Sequence, residues 1–160
     1  MIETEVHGPS RANSLKCVYY RSQTQIIRKA LFDEKGVLVR DYLYEYSEKG
    51  LLDSISMYAK DSISLIGLKE YSYYDDSRRI RYTEEFKFEN GKKFRTQRAD
   101  HLFDDVARTS TVTVFGSDDE PLGYELYGFR GNDDFMSLLG FYDMNHEQTS
   151  YASFGLGKDF

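Results

Sequence analysis

The sequence predicts a mostly β fold: a single-domain antiparallel meander of aromatic-rich hairpins with one or two short helices. A recurring phrase is the first reason. Phe32-Asp33-Glu34-Lys35-Gly36-Val37-Leu38 is answered by Tyr46-Ser47-Glu48-Lys49-Gly50-Leu51-Leu52, and steps of fourteen from Asp33 reach Ser47, Asp61, Asp75 and Glu89. Four of these five follow an aromatic residue (Phe32, Tyr46, Tyr74, Phe88), and self-similarity at a fixed period marks a chain of repeated structural units. The second reason is composition: 14 Tyr, 11 Phe, no Trp and only two prolines. Broad rings pack well on a pleated surface, and scarce proline leaves the ladder donors intact. The third is Asn90-Gly91 between Phe88 and Phe94, a strong hairpin signal.

Taken in order, residues 1–14 are polar and aperiodic, a loose lead-in with one short strand. Leu15, Val18, Tyr19, Ile26 and Ala30 suit a helix face, but Cys17-Val18-Tyr19-Tyr20 and Ile26-Ile27 suit strands; the repeat that follows needs a partner, which favours strand. Hairpin repeats fill 26–98. Tyr42, Tyr44 and Tyr46 alternate with Leu43 and Glu45 at the strand period, and Gly36 and Gly50 occupy the place where a tight loop needs a left-handed residue. Ala99–Ala107 reads as a short helix with Leu102, Phe103 and Val106 on one side. Strands resume at Thr111–Phe115 and Leu122–Phe129 around the turn 116–121, and Phe135–Tyr142 and Tyr151–Phe154 complete the chain. All of this is expected to form one domain, 1–160, with 99–160 as its acidic C-terminal part.

No apolar run approaches the roughly 20 residues of a membrane-spanning helix. The first residues lack the basic and apolar regions of a secretory signal, and Cys17 alone cannot form an internal disulfide, so a cytoplasmic location is expected. The charge is uneven. Residues 100–160 hold twelve acids and three Lys or Arg, a net −9, which leaves +3 for residues 1–99 of the total −6. Such asymmetry bears on partner choice and association rate.

Little in the sequence points to catalysis. His7, His101 and His146 are scattered, without the spacing of a metal site. His101 and Asp105 would meet on one helical turn, but such a pair is usually a surface contact. Cys17 beside Val18 and Tyr19 reads as a small buried hydrophobe. The glycines do not follow the strand-to-helix order of a phosphate loop. Acid doublets such as Asp104-Asp105 are more often solvated caps than metal ligands. The basic residues of 78–98 interleave with Tyr82, Phe86, Phe88 and Phe94, a pattern found on nucleic-acid-binding sheets, yet Glu84, Glu85 and Glu89 dilute it. No enzyme activity, metal, cofactor, nucleic acid or membrane partner is expected.

The phrase Phe32-Asp33…Gly36…Leu38 resembles the YD repeats of RHS-type bacterial proteins, in which an aromatic is followed by Asp, two variable residues, Gly, a variable residue and a branched apolar one. Tyr46-Ser47…Gly50…Leu52 matches with Ser for Asp, and Tyr74-Asp75…Ile80 with Arg78 for Gly. The similarity covers about residues 30–98 and implies a meandering sheet. The whole chain resembles small immunity proteins encoded beside polymorphic toxins, which implies a protein partner, a basic toxin domain whose active site is occluded. The acidic part would then supply Asp118, Asp119, Glu120, Asp133 and Asp134 as charge, with Tyr124 and Tyr127 as aromatic anchors. The alternative is a carbohydrate- or envelope-associated sheet that binds through its tyrosines.

Overall fold

The computed structural model describes residues 2–7, 15–74, 78–129 and 136–150. They form β1 (Ile2–His7), β2 (Leu15–Ser22), β3 (Gln25–Phe32), β4 (Leu38–Tyr46), β5 (Leu52–Tyr58), β6 (Leu65–Tyr73), β7 (Ile80–Glu89), β8 (Lys92–Asp104), β9 (Thr109–Phe115), β10 (Pro121–Phe129), β11 (Met136–Tyr142) and β12 (Gln148–Ser150). The strands are hydrogen-bonded in chain order, β1 to β12. Each strand therefore turns back on its predecessor, as a chain of hairpins requires.

Backbone chemistry at the turns explains the recurring phrase. In the turn after β3, Asp33 donates its N–H to the Val37 carbonyl (2.9 Å) and accepts from the Gly36 N–H (3.0 Å). The Asp33 carboxylate also accepts from the N–H groups of Lys35 and Val37, while Gly36 sits at φ 75°. Asp thus caps the loop, and Gly supplies the left-handed backbone that strains residues with a Cβ. Ser47 and Gly50 repeat the arrangement, with the Ser47 hydroxyl accepting from Leu51. Two further turns use it without glycine at the left-handed position. Gly116 and Asp119 (φ 64°) form one, and Asp143 and His146 (φ 64°) the other. Asn90 and Gly91 both have positive φ, the backbone that a two-residue hairpin needs.

The expected helix at 99–107 is replaced by strand and turn, and the described residues contain no helix. Residues 99–104 belong to β8, where Leu102 and Phe103 point to opposite faces rather than to one side. Val106 is 97% exposed and Leu102 69%, so neither lines a helix face packed on a core. The Asp104 carboxylate accepts from the N–H groups of Val106 and Ala107, which closes a turn at this point. Residues 15–31 form the strands β2 and β3. Asp75 and the segment Tyr151–Phe154 lie outside the described residues.

The chain divides into two compact units: Met1–Tyr71 with Glu85–Arg95, and Ser72–Glu84 with Thr96–Phe160. Their buried residues are small. In the first unit these include Cys17, Ala30, Asp41 and Ser54; in the second, Thr83, Ala99, Ser110 and Val112. A single layer of strands accounts for this, because a side chain is covered only by longer neighbours on its own face. Small residues disappear beneath those neighbours, whereas rings and the stems of Lys and Arg remain half-exposed.

Candidate functional site

Strand parity and turn alternation set the geometry of the acidic part. In a meander, successive turns fall at opposite ends of the strands. The β9–β10 turn, with Asp118, Asp119 and Glu120, therefore shares an end of the second unit with the β11–β12 turn, which carries Asp143 and Glu147. Asp118, Asp119, Glu120 and Glu147 are exposed and Asp143 is half-buried. One end of this unit thus presents five carboxylates from two adjacent loops. Arg98 on β8 lies within the field of this end. Its hydrogen bond to Asp100 (2.7 Å) raises its pKa above the ordinary arginine value, and the field of Asp119 adds to that.

Beside these loops lies an aromatic group. Tyr124 pairs with Tyr142 across β10 and β11, and the two rings stack at 5.0 Å with planes 10° apart. The Tyr124 hydroxyl is 3.0 Å from Nδ1 of His146, and the His146 ring meets Tyr124 edge-on. Gly123 allows the close approach: a Cβ there would lie 2.6 Å from the Tyr142 carbonyl oxygen. The left-handed backbone of His146 fixes the loop that carries its ring.

Tyr127 does not join this group. On β10, Tyr124 is opposite Thr113 of β9 and Tyr127 is opposite Ser110, with unbroken register between them. Residues three apart on a strand face opposite ways. Tyr127 instead donates to the Glu125 carboxylate at 2.5 Å. Burial first, and that hydrogen bond second, push its hydroxyl pKa up. The expected pair of aromatic anchors is therefore split between two faces, with Tyr124 alone beside Asp118, Asp119 and Glu120. Asp133 and Asp134 lie outside the described residues.

Sequence reasoning overlooked Tyr142, Asp143, His146 and Glu147. The signal was present: Tyr142-Asp143-Met144-Asn145-His146 is the aromatic-Asp phrase of residues 32–36 with His in place of Gly. His101 and Asp105, four apart, do not share a helical turn, because 101–104 are strand. The Asp105 carboxylate is held by the Arg79 guanidinium at 2.6 and 3.1 Å, and the His101 carbonyl accepts from the Tyr74 hydroxyl at 2.6 Å. Among the described residues no group of three or more His, Cys, Asp or Glu is arranged to hold a metal ion. This end of the second unit therefore offers charge, hydrogen-bond acceptors and a stacked aromatic pair, which suit recognition of a cationic surface. No family model, no curated protein and no solved structure matches this chain.

Proposed function

We propose that this chain is an immunity-type binding protein that neutralises a basic toxin domain by covering its active site. One observation carries the reading: Asp118, Asp119, Glu120, Asp143 and Glu147 gather at one end of the second unit beside the Tyr124–Tyr142 stack. A groove lined with Lys and Arg would meet complementary charge there, which steers encounter and sets register. The stacked tyrosines supply the rigid, amphipathic anchor that protein interfaces favour. The YD-like turns are consistent with this reading, because they build a scaffold of short, stiff loops that hold such groups in place.

The test is co-expression with the product of the neighbouring gene, in cells that this product arrests. Growth should be rescued by the wild-type chain and much less by the variant carrying Asp118→Asn, Asp119→Asn and Glu120→Gln. Full rescue by that variant, or no rescue by the wild-type chain, would reject the proposal.

A further inference from the structure

The first unit carries a surface that the acidic end does not explain. Directly paired residues of an antiparallel sheet share a face, so the registers lay one face out row by row. Val18, Ala30, Asp41 and Tyr58 form a row across β2 to β5. Two residues along each strand, Tyr20, Arg28, Leu43, Ser56 and Leu68 form the next row, which reaches β6. Leu43, in the middle of that row, is 39% exposed. The Ser62 hydroxyl bonds Asp41 on this face at 3.0 Å, which draws the β5–β6 loop to the same side. That loop carries Ile63, 82% exposed. Water thus reaches large aliphatic side chains on a layer of strands, where a second layer would ordinarily keep them dry.

The charges of this face balance. On it, Lys16, Arg28 and Lys93 stand against Asp41, Glu45 and Glu70. Arg28 is bonded to Asp41, Lys93 to Glu70, and the Glu45 carboxylate accepts from Ser54. The opposite face differs: Lys29 opposite Tyr42 and Arg40 opposite Leu31 lie on it, and among the described residues neither pairs with a carboxylate. Two copies meeting through that face would set like charges together, whereas the balanced face meets its own copy without net repulsion. Nucleic acid and anionic lipid need a surplus of cations that the balanced face lacks. Its size also suits a second copy. Five strands of about six residues cover roughly 24 by 20 Å, so two such faces stacked would bury about 1,000 Å² in all, which reaches the lower bound of a specific interface.

We infer that this face is the interface of a homodimer, in which two copies of the chain stack sheet on sheet. The contact is isologous: Leu43 and Ile63 of each copy meet the same surface of the other, and assembly closes at two chains. Each copy supplies the layer that covers the other. The inference is independent of the proposed toxin contact, which uses the other unit.

The test is sedimentation equilibrium of the full-length protein over a range of concentrations. A monomer–dimer equilibrium should appear, and it should persist in about 1 M salt, where the Debye length is only about 3 Å. Leu43→Gln should weaken the dimer about tenfold or more, as loss of an interface anchor does. Two changes elsewhere should leave it intact: Lys29→Glu with Arg40→Glu on the opposite face, and Val106→Glu, a 97% exposed position in the other unit. Should Leu43→Gln fail to fold, Ile63→Gln in the loop should weaken the dimer instead, and the wild-type melting temperature should still rise with protein concentration. A monomer at every concentration up to the solubility limit, or a dimer insensitive to both glutamine variants, would overturn the inference. So would dissociation in high salt, which would mean that opposite charges hold the copies together. Assemblies that grow beyond two chains would also overturn it, because only a non-closing contact produces them.

Discussion

Arg28 on β3 grips Asp41 on β4 through two parallel hydrogen bonds, Nε to Oδ1 at 2.8 Å and Nη2 to Oδ2 at 2.8 Å. Asp41 is almost wholly buried and also accepts from the Ser62 hydroxyl at 3.0 Å. The Arg28 guanidinium lies 5.0 Å over the Tyr20 ring. One cluster thus ties β2, β3 and β4 to the loop between β5 and β6. In a layer with so little apolar core, a satisfied carboxylate under an arginine serves where a larger hydrophobe would otherwise sit.

Removing the cation alone should therefore be costly. Arg28→Ala would leave a buried carboxylate with Ser62 as its remaining side-chain donor. A fully buried pair broken in this way loses about 3–5 kcal/mol. Arg28 is over a third exposed, so water screens the pair and about 2 kcal/mol is expected. Urea unfolding would measure it, and a midpoint unchanged from wild type would show that the pair contributes nothing to stability.

The turns make predictions of opposite sign. Gly50→Val should destabilise by about 1–3 kcal/mol, because a β-branched residue is strained at positive φ. The surroundings add little, since a Cβ there would meet only the end of Gln25 at 3.5 Å. Gln23, exposed and held at φ 54° between β2 and β3, is the reverse case. Gln23→Gly should stabilise by about 0.5–1 kcal/mol through relief of the same strain. Thermal melts of both variants decide the matter; equal melting temperatures would contradict the backbone assignment.

How much of this was readable beforehand follows from the turns. Asp33 with Gly36 and Ser47 with Gly50 announce themselves because glycine at a left-handed position is a visible marker. Asp119 and His146 take the same backbone without it; the turn 116–121 was still legible, but the loop carrying Asp143, His146 and Glu147 passed as ordinary sequence. The supposed helix at 99–107 arose from Leu102, Phe103 and Val106, whose spacing mimics a helical stripe. Asp104, which caps the turn between β8 and β9, was the contrary signal. The separation of Tyr124 from Tyr127 was open to inspection, because an odd spacing on a strand reverses the face. That the buried residues would be small was not, since composition does not say how many layers the strands form.

Acid should weaken the β5–β6 loop. The Asp61 carboxylate accepts from the Ser64 hydroxyl at 2.5 Å and from the N–H groups of Ser64 and Ile63. These bonds, led by that to the Ser64 side chain, lower its pKa from 3.8 to about 2. A folded value below the unfolded one means that the stabilisation is complete above the unfolded pKa and is lost as pH falls towards the folded one. Stability should thus decline between about pH 4 and pH 2, and Asp61→Asn should flatten that limb. A carboxyl NMR titration of Asp61 midway near its unperturbed value would refute the assignment.

Cys17 is 1% exposed and unpaired by disulfide. A thiol so covered reacts only when the sheet opens, so its modification rate by an aromatic disulfide reagent should track unfolding across a urea series. Cys17→Ala should cost about 1–2 kcal/mol, the loss of a small buried group. Rapid modification in the absence of urea would show that the β2 surface opens locally.

The last prediction separates charge at the acidic end from charge in general. If that end docks on a basic partner, association should slow as salt rises, because the Debye length shrinks from about 10 Å at 0.1 M to about 3 Å at 1 M. Neutralising Asp118, Asp119 and Glu120 should slow association and leave the melting temperature unchanged, since exposed turn acids contribute little to stability. Neutralising Glu3, Glu5 and Glu34, all in the other unit, is the control and should have a smaller effect. The tyrosines then test the face. Tyr124→Ala should speed dissociation, because it dismantles the stack with Tyr142 and the contact with His146. Tyr127→Ala, on the opposite face and bonded to Glu125, should leave both rates near wild type. Equal losses from the two acid triples would reduce the charge to generic solubility. Equal losses from the two tyrosine variants would mean that the partner does not approach from the Tyr124 face.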